Sequence, residues 1–333
     1  MMLKRRVVVA GLGAALPAIA SAQPRKKIVV GFVSWWPSSM EGEYVPRLRK
    51  GLAALGYAEP QTLELLTTFV GADPAIVHDA ARRLVARKVD VIVVTATPAA
   101  TIVKQETQAS QIPVVMAPVA DPLATGLVQS IARPGGNLTG MSMAGPDLSG
   151  KRLQILRDIM PNVEALGFVG ANRDPNTKTF VASLERVAAQ ANLKVVVRLV
   201  DSPAQIDDAL MADLKRAGAQ AINIQPIFIG RQVEVVAAAT RAGLPSTSDF
   251  PVFAEAGALF TYGLDDRARM ARAAYFIDRI VRGAKPADLP IEQPTEFTLI
   301  VNRKAAAAFG LTIPPAVIAR PTKSSSRSAA CRV

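Results

Sequence analysis

The sequence predicts an α/β protein of two lobes, each a doubly wound parallel sheet, with a ligand cleft between them. Its 333 residues are enough for about two domains, and half of them are hydrophobic. Short apolar, β-branched runs alternate with amphipathic helical segments, which is the pattern of consecutive βα units. One such series ends near residue 145 and a second of similar length follows it, so we expect two lobes of similar construction.

The clearest βα unit spans residues 89–122. Residues 91–94 form an uninterrupted apolar run, which is typical of a strand buried on both faces. Thr97 is then a candidate helix N-cap, and Pro98 suits the first helical position. Another apolar strand is predicted at 114–116. Because open parallel sheets bind ligands beyond the carboxyl ends of their strands, the loops that follow these two strands are candidate binding segments.

The other elements are predicted from the same alternation. In the first series we expect strands at 27–33, 63–69 and 138–142, and helices at 43–55, from 73 onward and at 123–131. In the second we expect strands at 165–170, 194–199 and 221–224, and helices at 148–160, 179–191, 204–217 and 232–242. The last third, with strands at 258–262 and 296–301 and helices at 265–282 and 304–309, is interpreted as returns between the lobes. We therefore assign residues 28–145 and about 252–290 to lobe 1, and residues 146–251 and about 291–319 to lobe 2.

Both ends of the chain differ from this pattern. Residues 1–22 have the features of a secretory signal peptide: a basic start at Lys4, a short apolar run and an Ala-Ser-Ala cleavage site before Gln23. The apolar run is too short for a membrane span, and both general secretion and twin-arginine export fit it. Residues 320–333 are basic and Ser-rich and are predicted to be a disordered tail.

Composition argues against several functional classes. The formal charge of +12 falls to +9 without residues 1–22, and four more cations lie in the C-terminal tail. The remaining cations are spread over amphipathic helices, so we expect no nucleic-acid partner. With one histidine, His78, and one cysteine, Cys331, no metal site is expected. No G-x-G-x-x-G motif follows the first strand, so no dinucleotide cofactor is expected either.

Ligand contacts are expected where strands end. The residues predicted to contact a ligand are Ser34, Trp35, Thr95, Thr97, Pro98, Ala99 and Asp121 in lobe 1, and Asn172, Gln225 and Asp249 in lobe 2. The amide groups of Ala99 and Ala100 would offer a helix N-terminus to a carboxylate, and Asp249 would face an ammonium. Simpler roles compete with these: Thr97 as a helix cap, Trp35 as core packing, and each aspartate as a turn residue.

Several segments resemble the ABC-transporter substrate-binding proteins of the group that includes tryptophan- and tyrosine-binding lipoproteins. They are GFVS, VDVIVVTATPAA, IPVVMAPVADPLATGLVQSIARPGGNLTGMS, GKRLQIL, ANRDPN, GALFTYG, IVRGAKPADLP and EQPTEFTLIVNRKAAAAFGLTIPP, within residues 28–319. The most specific are DPLATGLVQSIARPGGNLTG and IVRGAKPADLP. The resemblance implies a type I periplasmic-binding-protein fold with three crossovers and a small-molecule ligand delivered to a membrane permease. No cysteine follows the signal region to accept a lipid, so a free periplasmic protein is implied.

Other functions of the same layout stay open at this point. A sensor component of a signalling system would use the same fold and cleft and differ only in its partner. An enzyme could use Asp121, Asp174 or Asp249 as acids or bases, but no nucleophile with its base and no phosphate-binding loop accompanies them. We therefore expect a monomeric binding protein without catalytic residues and without a cofactor.

Overall fold

A computed structural model describes residues 26–319 of the chain. The predicted signal peptide, residues 1–22, and the predicted disordered tail, residues 320–333, lie outside the described residues. None of the described helices is both long enough and apolar enough to span a bilayer.

The first lobe is built on a five-stranded sheet in which every strand pair is parallel. Its strands are β1 (Ile28–Ser34), β2 (Leu63–Phe69), β3 (Val91–Val94), β4 (Val114–Val119) and β5 (Leu138–Ser142). Their order across the sheet is β2-β1-β3-β4-β5, the arrangement of a doubly wound fold whose switch point lies between β1 and β3. The helices that connect the first four strands are α1 (Glu41–Ala54), α2 (Pro74–Ala86) and α3 (Thr97–Glu106).

The second lobe contains six strands, five of them parallel. After α4 (Ser149–Ile159) come β6 (Ala165–Ala171), α5 (Thr177–Gln190), β7 (Lys194–Val200), α6 (Asp208–Arg216), β8 (Ala221–Ile224), α7 (Gln232–Arg241) and β9 (Ser246–Ser248). They are followed by α8 (Pro251–Glu255), β10 (Phe260–Gly263), α9 (Asp266–Val281), β11 (Thr298–Val301), α10 (Arg303–Ala308) and α11 (Pro315–Ile318). The order is β11-β10-β9-β8-β6-β7, with β11 antiparallel to β10.

The chain passes between the lobes three times, at residues 143–148, 264–265 and 293–297. After the second crossing α9 packs against α1, β4 and β5, so it belongs to the first lobe. After the third crossing β11 extends the second sheet. The predicted fold class, two parallel-sheet α/β lobes with three crossovers, is confirmed.

Two predicted segments differ in the structure. Strand β10 pairs with β9 and β11, so residues 252–263 lie in the second lobe and not, as expected, in the first. An apolar strand pattern shows that a strand forms but not which sheet it joins. The helix expected at 123–131 is instead a series of turns, in which Gly126 adopts a φ of +69°. Glycine favours this left-handed conformation, which interrupts a helix.

Candidate ligand-binding cleft

Two cavities lie between the lobes, at the carboxyl ends of their parallel strands. The inner cavity is lined by Trp36, Thr95, Thr97 and Asp266 on one side and by Asp174, Phe180 and Phe250 on the other, among other residues. The outer cavity is lined by residues that include Trp35, Pro98, Arg173 and Phe228. Asp174 and Ile227 line both cavities, so the two form adjoining parts of one cleft.

Thr97 does not cap α3, contrary to one interpretation of the sequence. Ala96, at a φ of 63°, is the N-cap residue, and no side chain caps this helix end. The Thr97 hydroxyl instead accepts a hydrogen bond from the backbone N–H of Ala120 at 3.3 Å. It also accepts one from the side-chain amide of Asn176 in the second lobe. The hydroxyl therefore joins the two lobes across the cleft.

The loop after β1 is held by a short chain of hydroxyl groups. The backbone N–H of Trp35 donates to Thr95 Oγ1 at 3.0 Å, and that hydroxyl donates to Ser34 Oγ at 3.3 Å. Ser34 is completely buried and lines neither cavity. It supports the loop, while Trp35 faces the outer cavity and Trp36 faces the inner one.

Asp174 supplies a buried carboxylate from the second lobe. Its Oδ1 accepts from the backbone N–H of Asn176 at 2.9 Å, and its Oδ2 accepts from Gln225 Nε2 at 2.8 Å. Gln225 Oε1 in turn accepts from the N–H of Ala171 and from the hydroxyl of Thr177. Gln225 therefore positions Asp174 and does not itself line a cavity. Burial raises the pKa of Asp174 to about 6, although the hydrogen bond from Asn176 opposes that rise.

Asp266 supplies a second buried carboxylate, from the first turn of α9. The Tyr44 hydroxyl donates to its Oδ2, whereas Oδ1 has no hydrogen-bond partner among the described residues. Burial raises the pKa of Asp266 to about 6, and the bond from Tyr44 partly offsets the rise. Sequence analysis did not select this residue, which it placed in the helix expected at 265–282. Asp265 does cap α9, through bonds from the N–H groups of Arg267 and Ala268.

Asp249 is paired within the protein. Its Oδ1 lies 2.6 Å from Arg152 Nη1, and the two side chains are 2% and 3% exposed. Burial raises the pKa of Asp249 to about 6, although the guanidinium of Arg152 partly offsets this rise. The same guanidinium donates to the carbonyl of Gly145, within the first crossing, and to that of Tyr262, just before the second. Asp249 lines neither cavity, although its neighbour Phe250 lines the inner one.

The other predicted residues have local roles or lie behind the cavity walls. Asp121 Oδ1 accepts from the N–H groups of Leu123 and Ala124, so it stabilises a turn. Asn172 is exposed and donates to Asp201. Ala99 is fully buried and lines neither cavity. The structure therefore places four of the predicted residues on the cavity walls: Trp35, Thr95, Thr97 and Pro98.

Comparison with known proteins is consistent with this geometry. A tyrosine-binding protein of Clostridioides difficile is 24% identical over 263 residues, which cover 79% of this chain and 75% of the relative. A structure from Vibrio cholerae, described as a conserved domain protein, has a TM-score of 0.82 at 27% identity and covers 89% of this chain and 99% of its own. An L-Trp complex from Streptococcus pneumoniae has a TM-score of 0.78 at 26% identity, covering 87% of this chain and 97% of its own.

The family comparison accounts for most of the described chain. Residues 38–325 match the family described as ABC transporter substrate binding protein. That range includes both sheets apart from β1, all three crossings and nearly every residue of the cleft. The resemblance predicted from the sequence segments is therefore confirmed. The chain belongs to the family of ABC transporter substrate-binding proteins.

Proposed function

We propose that this protein captures an amino acid or a similar small carboxylate in the periplasm and delivers it to the permease of an ABC transporter. The observation that carries this proposal is a cleft of two adjoining cavities whose walls come from both lobes. A ligand held there would contact both lobes at once, so its binding would favour the closed arrangement. The tyrosine-binding and L-Trp-bound relatives support an amino acid as the solute.

The first turn of α3 suits the carboxylate end of such a solute. In this turn Pro98 has no N–H, and the Ala100 N–H, expected from the sequence to face the ligand, donates to the Ala96 carbonyl. The positive character of this end therefore comes from the helix dipole and from the N–H groups of Thr97 and Ala99. The Thr97 hydroxyl accepts both of its hydrogen bonds, so its own proton can be donated to a ligand oxygen. Thr95 lines the same wall. We propose Thr97 as the carboxylate contact, with Thr95 beside it on the same wall and Pro98 and Trp35 forming the adjoining apolar wall.

Screening by thermal unfolding tests the identity of the solute. The probes are the common amino acids, small monocarboxylates, their amides and simple sugars. A ligand at 100 times its dissociation constant adds about 2.7 kcal/mol of stability, which gives a readily measured rise in melting temperature. We expect carboxylate-bearing probes to raise it. Stabilisation by sugars or neutral compounds alone would contradict the proposal.

Export is tested separately from binding. We propose cleavage after Ala22 and a monomer free in the periplasm. Protein isolated from the periplasm of its native host should begin at Gln23, which intact-mass measurement and N-terminal sequencing can check. Recovery of the full chain with Met1 from the cytoplasm would contradict this part of the proposal and leave the solute unaffected.

A further inference from the structure

We infer that the inner cavity binds a protonated amine of the solute between Asp174 and Asp266, while the indole N–H of Trp36 donates to an acceptor on the same molecule. This inference rests on the proposed function, because it assigns the two ends of the captured solute to named side chains. It also assigns contact with the ammonium group to two aspartates other than Asp249, which was expected from the sequence.

The charges around the inner cavity are of one sign. Asp174 and Asp266 are the only charged side chains among the described residues that line it, and both are almost fully buried. The remaining wall is mostly aromatic or aliphatic, including Phe180 and Phe250. Neither carboxylate forms an ion pair among the described residues, although the charge of Arg267 acts favourably on Asp266, so this cavity favours a cation.

The hydrogen-bonding groups indicate what kind of cation fits. Asp266 is 1% exposed and its Oδ1, an acceptor, has no partner among the described residues. Trp36 is 5% exposed and its Nε1, a donor, likewise has none there. Buried polar groups are normally paired, so the cavity calls for a ligand with both donors and an acceptor. A primary ammonium supplies three N–H donors, and a carboxylate supplies the acceptor.

Asp249 is less suited to this part, although its Oδ2, like Asp266 Oδ1, has no hydrogen-bond partner among the described residues. Its Oδ1 is 2.6 Å from the guanidinium of Arg152, which already balances its charge. It also lies outside the lining of both cavities. An ammonium in the inner cavity would therefore meet Asp174 and Asp266 rather than Asp249.

The two carboxylates are carried by different lobes. Asp174 follows β6 in the second lobe, whereas Asp266 begins α9, which packs on the first lobe. A cation bound by both carboxylates would attract both lobes. It can contact both only when the lobes are close. Recognition of the amine would thus be coupled directly to closure.

Matched probes separate the two ends of the solute. Isothermal titration would use the mature chain with L-tryptophan, tryptamine and 3-indolepropionate, and with the corresponding compounds of phenylalanine and leucine. Asp266→Asn and Asp174→Asn should weaken the amine-bearing probes roughly 10-fold or more, which is the loss expected for one charged hydrogen bond. Asp266→Asn should bind the deaminated acids as wild type does. It is the decisive variant, because Asp174→Asn also turns an amide NH2 towards a donor, either the Asn176 N–H or Gln225 Nε2. Trp36→Phe should instead weaken the probes with a carboxylate and leave the plain amines unchanged.

The control is Asp121→Asn, which makes the same substitution at a turn outside both cavities and should not change binding. Far-UV circular dichroism checks that each variant is folded. If deaminated acids bind wild type as tightly as the amino acids and Asp266→Asn has no effect, the amine site is wrong while the small-carboxylate function stands. If the thermal screen shows stabilisation by sugars or neutral compounds alone, both the inference and the proposed function are wrong.

Discussion

The ionisation of the Asp266 carboxyl group makes the free energy of unfolding depend on pH. Its pKa is raised from the usual 3.8 to about 6, so the folded protein holds this proton more tightly than the unfolded chain does. Its ionisation therefore destabilises the fold, with no effect below about pH 4 and the full effect above about pH 6. Two pKa units correspond to about 3 kcal/mol.

Asp266→Asn removes this ionisation and keeps an oxygen for Tyr44. Relative to wild type, the free energy of unfolding of the variant should rise by about 2 to 3 kcal/mol between pH 4 and pH 8. Urea unfolding at a series of pH values measures the difference. A difference that stays constant across this range would show that Asp266 does not titrate in it.

Thr97 provides a test of the hydroxyl that joins the lobes. Thr97→Val removes the acceptor for Ala120 and Asn176 but keeps the shape of the side chain. Two buried donors then lose their partner, so we expect stability to fall by about 2 kcal/mol and affinity for a carboxylate probe to fall about 10-fold. Thr97→Ser keeps the hydroxyl and serves as the control. Equal binding by the Val and Ser variants would exclude a role of this hydroxyl.

At the scale of elements, Arg152 on α4 holds two crossings against the second lobe. Its guanidinium contacts Asp249, the carbonyl of Gly145 and the carbonyl of Tyr262. Arg152→Met would leave Asp249 buried without a counter-charge, and breaking a buried pair in this way typically costs about 3 to 5 kcal/mol. Urea unfolding should show the loss.

A double substitution distinguishes the effect of charge from that of packing at the Arg152–Asp249 pair. Adding Asp249→Asn to Arg152→Met removes the unpaired charge, so the double variant should be more stable than Arg152→Met alone. Lys151→Met, at the neighbouring position of α4, is the matched control and should change stability little. A double variant less stable than the single one would indicate that shape, not charge, dominates the site.

The helices and strands also show which parts of the fold could be predicted from the sequence. Uninterrupted apolar runs such as Val91–Val94 predicted the strands because burial on both faces excludes polar residues. The sheet joined by β10 was not predictable, since strand pairing depends on distant residues. The same limit applies to the cleft. Position after a strand identified Thr95 and Thr97, whereas Asp266 is brought there by a crossing and Asp249 is neutralised by a residue 97 positions away.

At the scale of the whole molecule, the structure predicts that ligand binding closes the lobes. Contacts such as that between Asn176 and Thr97 form only when the lobes meet, so a ligand in the cleft should enlarge the closed population. Small-angle scattering should give a smaller radius of gyration with a saturating ligand than without it. An unchanged radius would mean that the lobes are fixed relative to each other.

Gly230 offers a way to obstruct closure without touching the ligand site. A Cβ at this second-lobe position would lie 2.4 Å from Pro37 Cδ of the first lobe. Gly230→Ala should therefore favour an open arrangement, with a larger radius of gyration and weaker binding. Gly230 has a φ of +92°, so backbone strain must be controlled for. Gly218→Ala, at a φ of +97° with no atom within 4 Å of its Cβ, carries similar strain and should leave binding unchanged.

The three crossings also determine when each lobe can finish folding as the chain is made. The first lobe lacks the helix that covers β4 and β5 until residues 266–281 are available, and the second lacks its edge strand until residues 298–301 follow. Both lobes are thus completed by the same late stretch of the chain. A growing chain that ends before residue 266 leaves apolar surface uncovered in each half.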